Sequence, residues 1–298
     1  MRTIFSLLIL SFMACSPKTG VHLIDDKNTY TEEHIKWQNL RVKSLTAPEG
    51  WLSVVGLHWL KEGSNKIGSA DGVDIHLAEF GKIQVADLEL NGDSLYMHSG
   101  GENYITLDQK RFTGGAIESD VNGSPTKLAY KSLIFYVIKR GDKYGLRVKN
   151  TLADARYKLK EIPSYPIDYD LIVNARVKTF TDERTLEVSD VSGVKQDLLL
   201  AAELEFSIQG SKQKLLAYDG GPDYFFVTFS DNTNGTETYG GGRYIDVPRP
   251  KEGSNVCVID FNRAYNPPCV YTDFATCPIP PTQNHMDLML KAGERSTK

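Results

Sequence analysis

The residues with the most chemical potential lie between Asp260 and Asn266, where Asp260, Asn262, Arg263, Tyr265 and Asn266 stand in one short run. A carboxylate, carboxamides, a guanidinium and a phenol can together bind a polar ligand or move a proton, provided they converge on one cavity. If the run is a strand, Asp260 and Asn262 point to one face, and Phe261 and Arg263 to the other. The alternative role is structural, because short polar side chains beside Pro267-Pro268 can satisfy loop backbone groups. Arg243 follows three glycines, Gly240-Gly241-Gly242. Such a turn lets backbone approach a ligand closely, and a guanidinium can grip a carboxylate or phosphate through two parallel hydrogen bonds. Neither a Walker lysine nor a dinucleotide fingerprint accompanies the glycines. A charge on an irregular segment needs a partner, so Arg243 is expected to reach Asp260 or the Asn266 region, as a site or as a structural clamp.

Three more groups could carry chemistry. Cys269 and Cys277 enclose a small loop. In an oxidising compartment they would form a disulfide. The rival readings are a metal site completed by His285 and a nucleophilic thiol served by His285 or His58. No paired C-x-x-C spacing supports the metal, and no cofactor or metal is expected. Cys257, in the apolar run Val256–Ile259, reads as a buried strand residue. Asp231-Asn232-Thr233-Asn234-Gly235 is rich in oxygen ligands but lacks the spacing and closing Glu of an EF-hand. An Asx turn between strands suits it better. His58, between Leu57 and Trp59, reads as a packed or capping histidine. Elbow, zincin and kinase motifs are absent, which does not exclude a hydrolase, since catalytic groups need only converge in space.

The elements that must position these groups are mostly strands. Thr29 and Glu32 have capping-box spacing, which predicts a helix from about Thr31 to Leu45 with Ile35, Trp37 and Leu40 as its apolar contacts. Ala47-Pro48-Glu49-Gly50 ends it. From Trp51 on, short apolar runs separated by Gly, Asn and Asp predict strands at Leu52–Val55, Ser64–Ile67, Asp74–Leu77, Lys82–Val85, Ser94–Met97 and Asn103–Thr106. Asn91-Gly92 is a hairpin signal between two of them. Leu133–Lys139 and Tyr144–Lys149 form a further pair. Beyond a proline-broken join at 151–170 come Leu171–Phe180, Arg184–Val188, Val194–Leu200, Glu203–Gln209, Lys212–Tyr218 and Tyr224–Phe229, the last a central strand by its apolarity. The fold class is therefore all-β: mainly antiparallel and sandwich-like, with a short N-terminal helix. Two β-subdomains, 29–150 with the helix and 151–298, end in an irregular Pro/Cys-rich segment.

Residues 1–15 carry Arg2, an apolar stretch from Ile4 to Met13, Ala14 and then Cys15. An apolar core of about ten residues is too short to span a bilayer and suits a signal peptide. Cys15 directly after a small residue predicts a lipoprotein signal, with Cys15 acylated and residues 16–28 serving as a tether. The partner implied is a lipid bilayer. Ser16 rather than Asp follows Cys15, which by analogy with lipoprotein sorting points to the periplasmic face of the outer membrane. Of the 298 residues, 41% are hydrophobic and 24% charged, and the net charge is −4. No Lys/Arg-rich run appears, which argues against a nucleic-acid partner.

Three pieces of the chain resemble the bacterial family catalogued as domain of unknown function 1684. One is Trp51-Leu52 with Gly56-Leu57-His58-Trp59-Leu60 and Gly63. Another is Asp231-Asn232-Thr233-Asn234-Gly235 with Thr238-Tyr239 and Gly242-Arg243-Tyr244. The last is DFNRAYNPPC from Asp260, with the later ATCP, IPP and Ala292-Gly293-Glu294. Where such sequences usually carry Arg, this chain has Ser230. The resemblance implies a shared fold and shared suspect residues, and no chemistry. The function expected is a ligand-binding or assembly role in the cell envelope, with a small-molecule or polypeptide ligand. The alternative is a hydrolase built around Arg243 and Asp260.

Overall fold

The computed structural model describes residue 24 and residues 26–80, 84–99 and 105–296. The signal segment, the anchor Cys15 and most of the tether lie outside the described residues, as do parts of the strands expected at 82–85 and 103–106. A helix runs from Lys27 to Thr46. It starts before the expected capping box because Asp26 takes the cap, accepting from the backbone N–H of Asn28 (3.0 Å) and Thr29 (3.2 Å). It stops where Ala47, before Pro48, turns extended, since a proline disfavours helical geometry in the residue before it. Its inner face also differs from expectation. Ile35 and Leu40 are exposed, while His34 and Leu45 are buried. Together with Trp37 and Arg41, these two recur every three or four residues, the spacing of one helical face. No helix among the described residues is long and apolar enough to cross a membrane.

The rest is mainly antiparallel β-sheet. Residues 54–150 build two sheets. One orders the strands Val54–Trp59, Lys143–Asn150, Leu133–Arg140, Leu128–Tyr130, Thr106–Leu107 and Lys110–Arg111. The other orders Ile75–His76, Gly63–Gly68, Gln84–Asn91, Ser94–Ser99 and Gly114–Ala116. Both send side chains into one core: Ile67, Leu88 and Met97 from the second, Phe135, Leu146 and Val148 from the first. The Asn91-Gly92 hairpin forms, with Asn91 opposite Ser94 and Gly92 at φ 57°.

The C-terminal half is one sheet in the order Arg243–Pro248, Tyr224–Asp231, Ser211–Asp219, Lys195–Ile208, Ile172–Ser189 and Val256–Asp260, with His285–Met286 added parallel to Tyr224–Asp231. Ile172–Ser189 and Lys195–Ile208 each replace two expected strands. The pairing survives their polar middles through register shifts between Thr179 and Arg184 and between Leu200 and Ala202. Bulges accommodate such extra residues without ending a strand. Leu204, Phe206 and Ile208 point into the core as the alternation predicts. Tyr224–Asp231 is an inner strand. Met286, Leu290 and Ala292 from the tail close over the same core.

Between the two halves lies the Pro/Cys-rich segment, held by three short 3-10 turns, Phe261–Arg263, Pro268–Val270 and Thr282–Asn284. It touches both sides. The Thr272 hydroxyl donates to the Val54 carbonyl (3.0 Å), and Tyr265 bridges to Tyr244 on the C-terminal sheet. A small third core of Tyr244, Cys269, Ala275 and Cys277 forms there, with Trp51, Phe226, Tyr239 and Tyr265 packed against it.

Candidate functional site

The structure separates the residues singled out from the sequence into three groups. Arg243 is not in the glycine turn but opens the strand Arg243–Pro248, and it is fully buried. Its expected partner Asp260 is replaced by Asp231: Nη2 donates to Asp231 Oδ2 at 2.6 Å, with both side chains wholly inaccessible. Nη2 also donates to the Leu290 carbonyl (2.9 Å), and Nη1 to that of Ala292. Asp231 Oδ1 accepts from the Thr233 backbone N–H (2.9 Å), the expected Asx turn, and from the N–H of Leu290 (3.2 Å). The arginine thus clamps the chain's tail to the sheet. The turn before it needs glycine at Gly242, where φ is +87° and a Cβ would lie 2.7 Å from the Phe229 carbonyl oxygen and against Pro280. Ser230 beside this clamp hydrogen-bonds His285 Nδ1 (3.0 Å).

Asp260 and Asn262 form the second group, and they secure the helix. Asp260 caps the turn Phe261–Arg263 by accepting from the Asn262 N–H (3.1 Å), and its oxygens take the Tyr30 hydroxyl at 3.0 and 2.8 Å. Arg263 lies 3.3 Å away as an ion-pair partner. Asn262 holds the Asp168 backbone on both sides, accepting its N–H and donating to its C=O. Burial and the neighbouring carboxylate push the Tyr30 phenol up. His34 stacks on Tyr30 (5.9 Å) and tilts against Trp37 (5.5 Å), with Nδ1 buried and without a hydrogen-bond partner. Desolvation lowers its pKa.

Tyr265 and Asn266, the third group, do reach a cavity. It has a volume of about 310 Å³ and opens between the helix, the start of the N-terminal β-half and the C-terminal sheet. Trp37, Arg41 and Leu45 line it from the helix, and Trp51 from the turn after it. Phe226, Tyr244 and Asp246 come from the sheet, and Tyr265, Asn266 and Pro268 from the irregular segment. The rings brace one another edge to face, Phe226 on Tyr244 at 5.0 Å and Tyr244 on Tyr265 at 6.0 Å. Arg41 lies over the Tyr265 ring at 4.5 Å. Its charge is balanced by Glu294, whose Oε1 accepts from Nε at 3.0 Å, and its Nη2 reaches the Asn266 carbonyl (3.4 Å). Glu294 is buried and also takes the Asn266 N–H (2.7 Å) and the Tyr271 hydroxyl (3.2 Å). Burial works against the Arg41 charge, but Glu294 outweighs it and raises the guanidinium pKa.

Asp246 lines this cavity without an ion-pair partner among the described residues. It keeps an exposed edge at the mouth and accepts one hydrogen bond, from the Tyr265 hydroxyl at 3.0 Å. Desolvation against the cavity wall raises its pKa above the ordinary carboxylate value, with the Tyr265 hydrogen bond and Arg41 only partly opposing it. Desolvation, with Asp246 beside it, drives the Tyr265 phenol well up, so it stays a protonated donor. An aromatic cleft with a few convergent polar groups and a perturbed acid is the usual form of a small-molecule site. A larger depression, about 1070 Å³, lies on the outer face of the C-terminal sheet among Arg176, Glu205, Lys212 and Lys214. Among its lining residues Phe206 alone is aromatic, and it is buried in the core.

Trp37, Arg41, Trp51 and Asp246 were not singled out in the sequence as site residues. Trp37, Arg41 and Leu45 recur at four-residue spacing, which puts them on one helical stripe. That spacing was the available signal. Asp246 carries no comparable signal in the sequence.

Cys269 and Cys277 lie side by side inside the third core, without a disulfide between them. The Cys269 N–H donates to Cys277 Sγ at 3.0 Å, and the neighbouring Cys269 thiol and burial drive the Cys277 pKa up. Among the described residues no His, Cys, Asp and Glu cluster could hold a metal. Cys257 is buried on its strand as expected. His58 is half-buried, and desolvation lowers its pKa.

Residues 157–295 match the DUF1684 family, described as a protein of unknown function. The match bears out the resemblance read from the sequence and takes in Asp246, Tyr265 and Asn266, while Trp37, Arg41 and Trp51 lie outside it. A solution NMR structure of an uncharacterized protein from Haloarcula marismortui is 30% identical over 47% of this chain and 78% of its own, with a TM-score of 0.40. No curated protein matches the chain.

Proposed function

We propose that this is a lipid-anchored protein of the bacterial envelope, held to the outer membrane by acylated Cys15 and facing the periplasm, that binds a small ligand in the cavity bounded by Trp37, Trp51 and Tyr265. One observation carries the binding reading. Five aromatic rings, an ion-paired Arg41 and Asp246, which has no ion pair among the described residues, converge from five separate segments on one opening. Four of these rings, Trp51, Phe226, Tyr244 and Tyr265, also pack in the small third core, and Trp37, Arg41 and Asp246 join them where the cavity opens. A hydrolase built on Arg243 loses its support, because that guanidinium is sealed in the clamp with Asp231.

A thermal-shift screen of amino acids, amines, sugars and short peptides tests the binding reading. A ligand at a hundred times its Kd stabilises the folded state by about 2.7 kcal/mol. At least one compound should raise the Tm of the wild type and lose its effect in Trp51→Ala. A compound that stabilises both proteins equally would place the binding site elsewhere.

A further inference from the structure

We propose that the ligand of the cavity is an organic ammonium ion, a claim that rests on the binding reading above. Two charged side chains line the cavity, Asp246 and Arg41, with Glu294 behind Arg41 and Arg147 at 5.2 Å on the Trp51 ring. Arg41 and Glu294 pair at 3.0 Å, and Arg147 lies behind the indole, which leaves Asp246 as the charge exposed at the opening. An anion would meet the Asp246 carboxylate at the opening, and Arg41 already donates Nε to Glu294 and Nη2 to the Asn266 carbonyl.

Trp37, Trp51, Phe226, Tyr244 and Tyr265 enclose the space. Aromatic faces attract a cation through their quadrupole, and a cage of such rings is the usual receptor for alkylated ammonium groups. The protein already uses this attraction there, since its own Arg41 guanidinium stacks at 4.5 Å on Tyr265. A saccharide also stacks on rings, but it needs hydrogen-bonding groups around its rim. Here Arg41 gives Nε to Glu294 and Nη2 to the Asn266 carbonyl, Asn266 Nδ2 gives to the Arg295 carbonyl at 2.9 Å, and Asn266 Oδ1 is buried, so Asp246 is the acceptor that stands at the opening. Asp246 remains, at the mouth, where it can pair with a positive charge seated among the rings.

Isothermal titration with choline and with its neutral carbon isostere, 3,3-dimethyl-1-butanol, separates charge from shape, and N-acetylglucosamine serves as the saccharide probe. Choline should bind, and the isostere should bind at least tenfold more weakly. Asp246→Asn should cost choline tenfold or more while leaving the melting temperature close to wild type, because the side chain stands at an exposed mouth. Choline binding should also fade as pH falls and Asp246 takes up a proton. Equal binding of the isostere, binding of the saccharide alone, an unaffected Asp246→Asn, or no binding by choline would each overturn the ammonium assignment. In all four cases the binding reading is judged separately, by the thermal-shift screen and Trp51→Ala.

Discussion

Removing Arg243 should unfold part of the C-terminal half, and the structure gives the size of the effect. Arg243 and Asp231 are both wholly inaccessible and 2.6 Å apart. In Arg243→Ala, Asp231 Oδ1 keeps Thr233 and Leu290 as donors, but Oδ2 is left as a buried charge without its cation. Breaking a buried pair from one side costs about 3–5 kcal/mol. The carbonyls of Leu290 and Ala292 also lose their donor, which loosens the tail that covers the core. For a chain of this size each kcal/mol moves the melting point by roughly 2–4 °C, so a fall of about 6–20 °C is expected. Urea unfolding followed by far-UV circular dichroism measures the loss. The double variant with Asp231→Asn should recover part of it, because the carboxamide removes the charge and keeps an acceptor for Thr233. It should not recover all of it, because the two carbonyls stay unmet. An Arg243→Ala protein within about 1 kcal/mol of wild type would refute the clamp. So would a double variant less stable than the single one.

Further predictions follow from other parts of the molecule. His34 has a folded pKa below its unfolded one, so its contribution is complete above about pH 6.5 and is lost as pH falls from there toward the lower folded value. The charged neighbours facing it are Asp260 and Arg263. His34→Phe should flatten the slope of stability against pH in that window, and equal slopes would show that His34 does not set it. Cys269 and Cys277 already adjoin, so peptide mapping of protein taken unreduced from the periplasm should find them linked, with Cys257 outside the bridge, whereas reduced thiols at both positions would contradict the pairing. Burial pushes the Cys257 thiol up to about 11, so native protein should resist alkylation there at neutral pH, and rapid labelling would contradict this. Cys15→Ser should abolish fatty-acid labelling and release the protein from membranes, whereas an unlabelled wild type would end the lipoprotein reading.

What could be read from the sequence was set by how local each cause is. The Asn91-Gly92 hairpin and the alternation at Leu204, Phe206 and Ile208 are nearest-neighbour effects, and both stand in the fold. The Asx turn at Asp231 was legible for the same reason. Its pairing with Arg243 was not, because the choice between Asp231 and Asp260 depends on which strands lie side by side. The long strands Ile172–Ser189 and Lys195–Ile208 hid behind polar middles such as Thr181-Asp182-Glu183, since a bulged strand and a turn look alike in composition. Tyr265 and Asn266 were found by residue type, and they line the cavity. Asp246 went unnoticed in Arg243–Pro248, and Arg41 was hidden by a helix face assigned to Ile35 and Leu40 when both are exposed.

The central claim is that ligand binds where Trp37 and Trp51 face Asp246, and the indole N–H signals of the three tryptophans test it most directly. Trp59 lies at the end of its strand, away from the cavity lining, and serves as the internal control. Titrating ¹⁵N-labelled protein with the strongest ligand from the screen should move the signals of Trp37 and Trp51 together, saturate with the same Kd as calorimetry, and leave Trp59 in place. Saturable binding that moves Trp59 alone, or none of the three, would contradict the account.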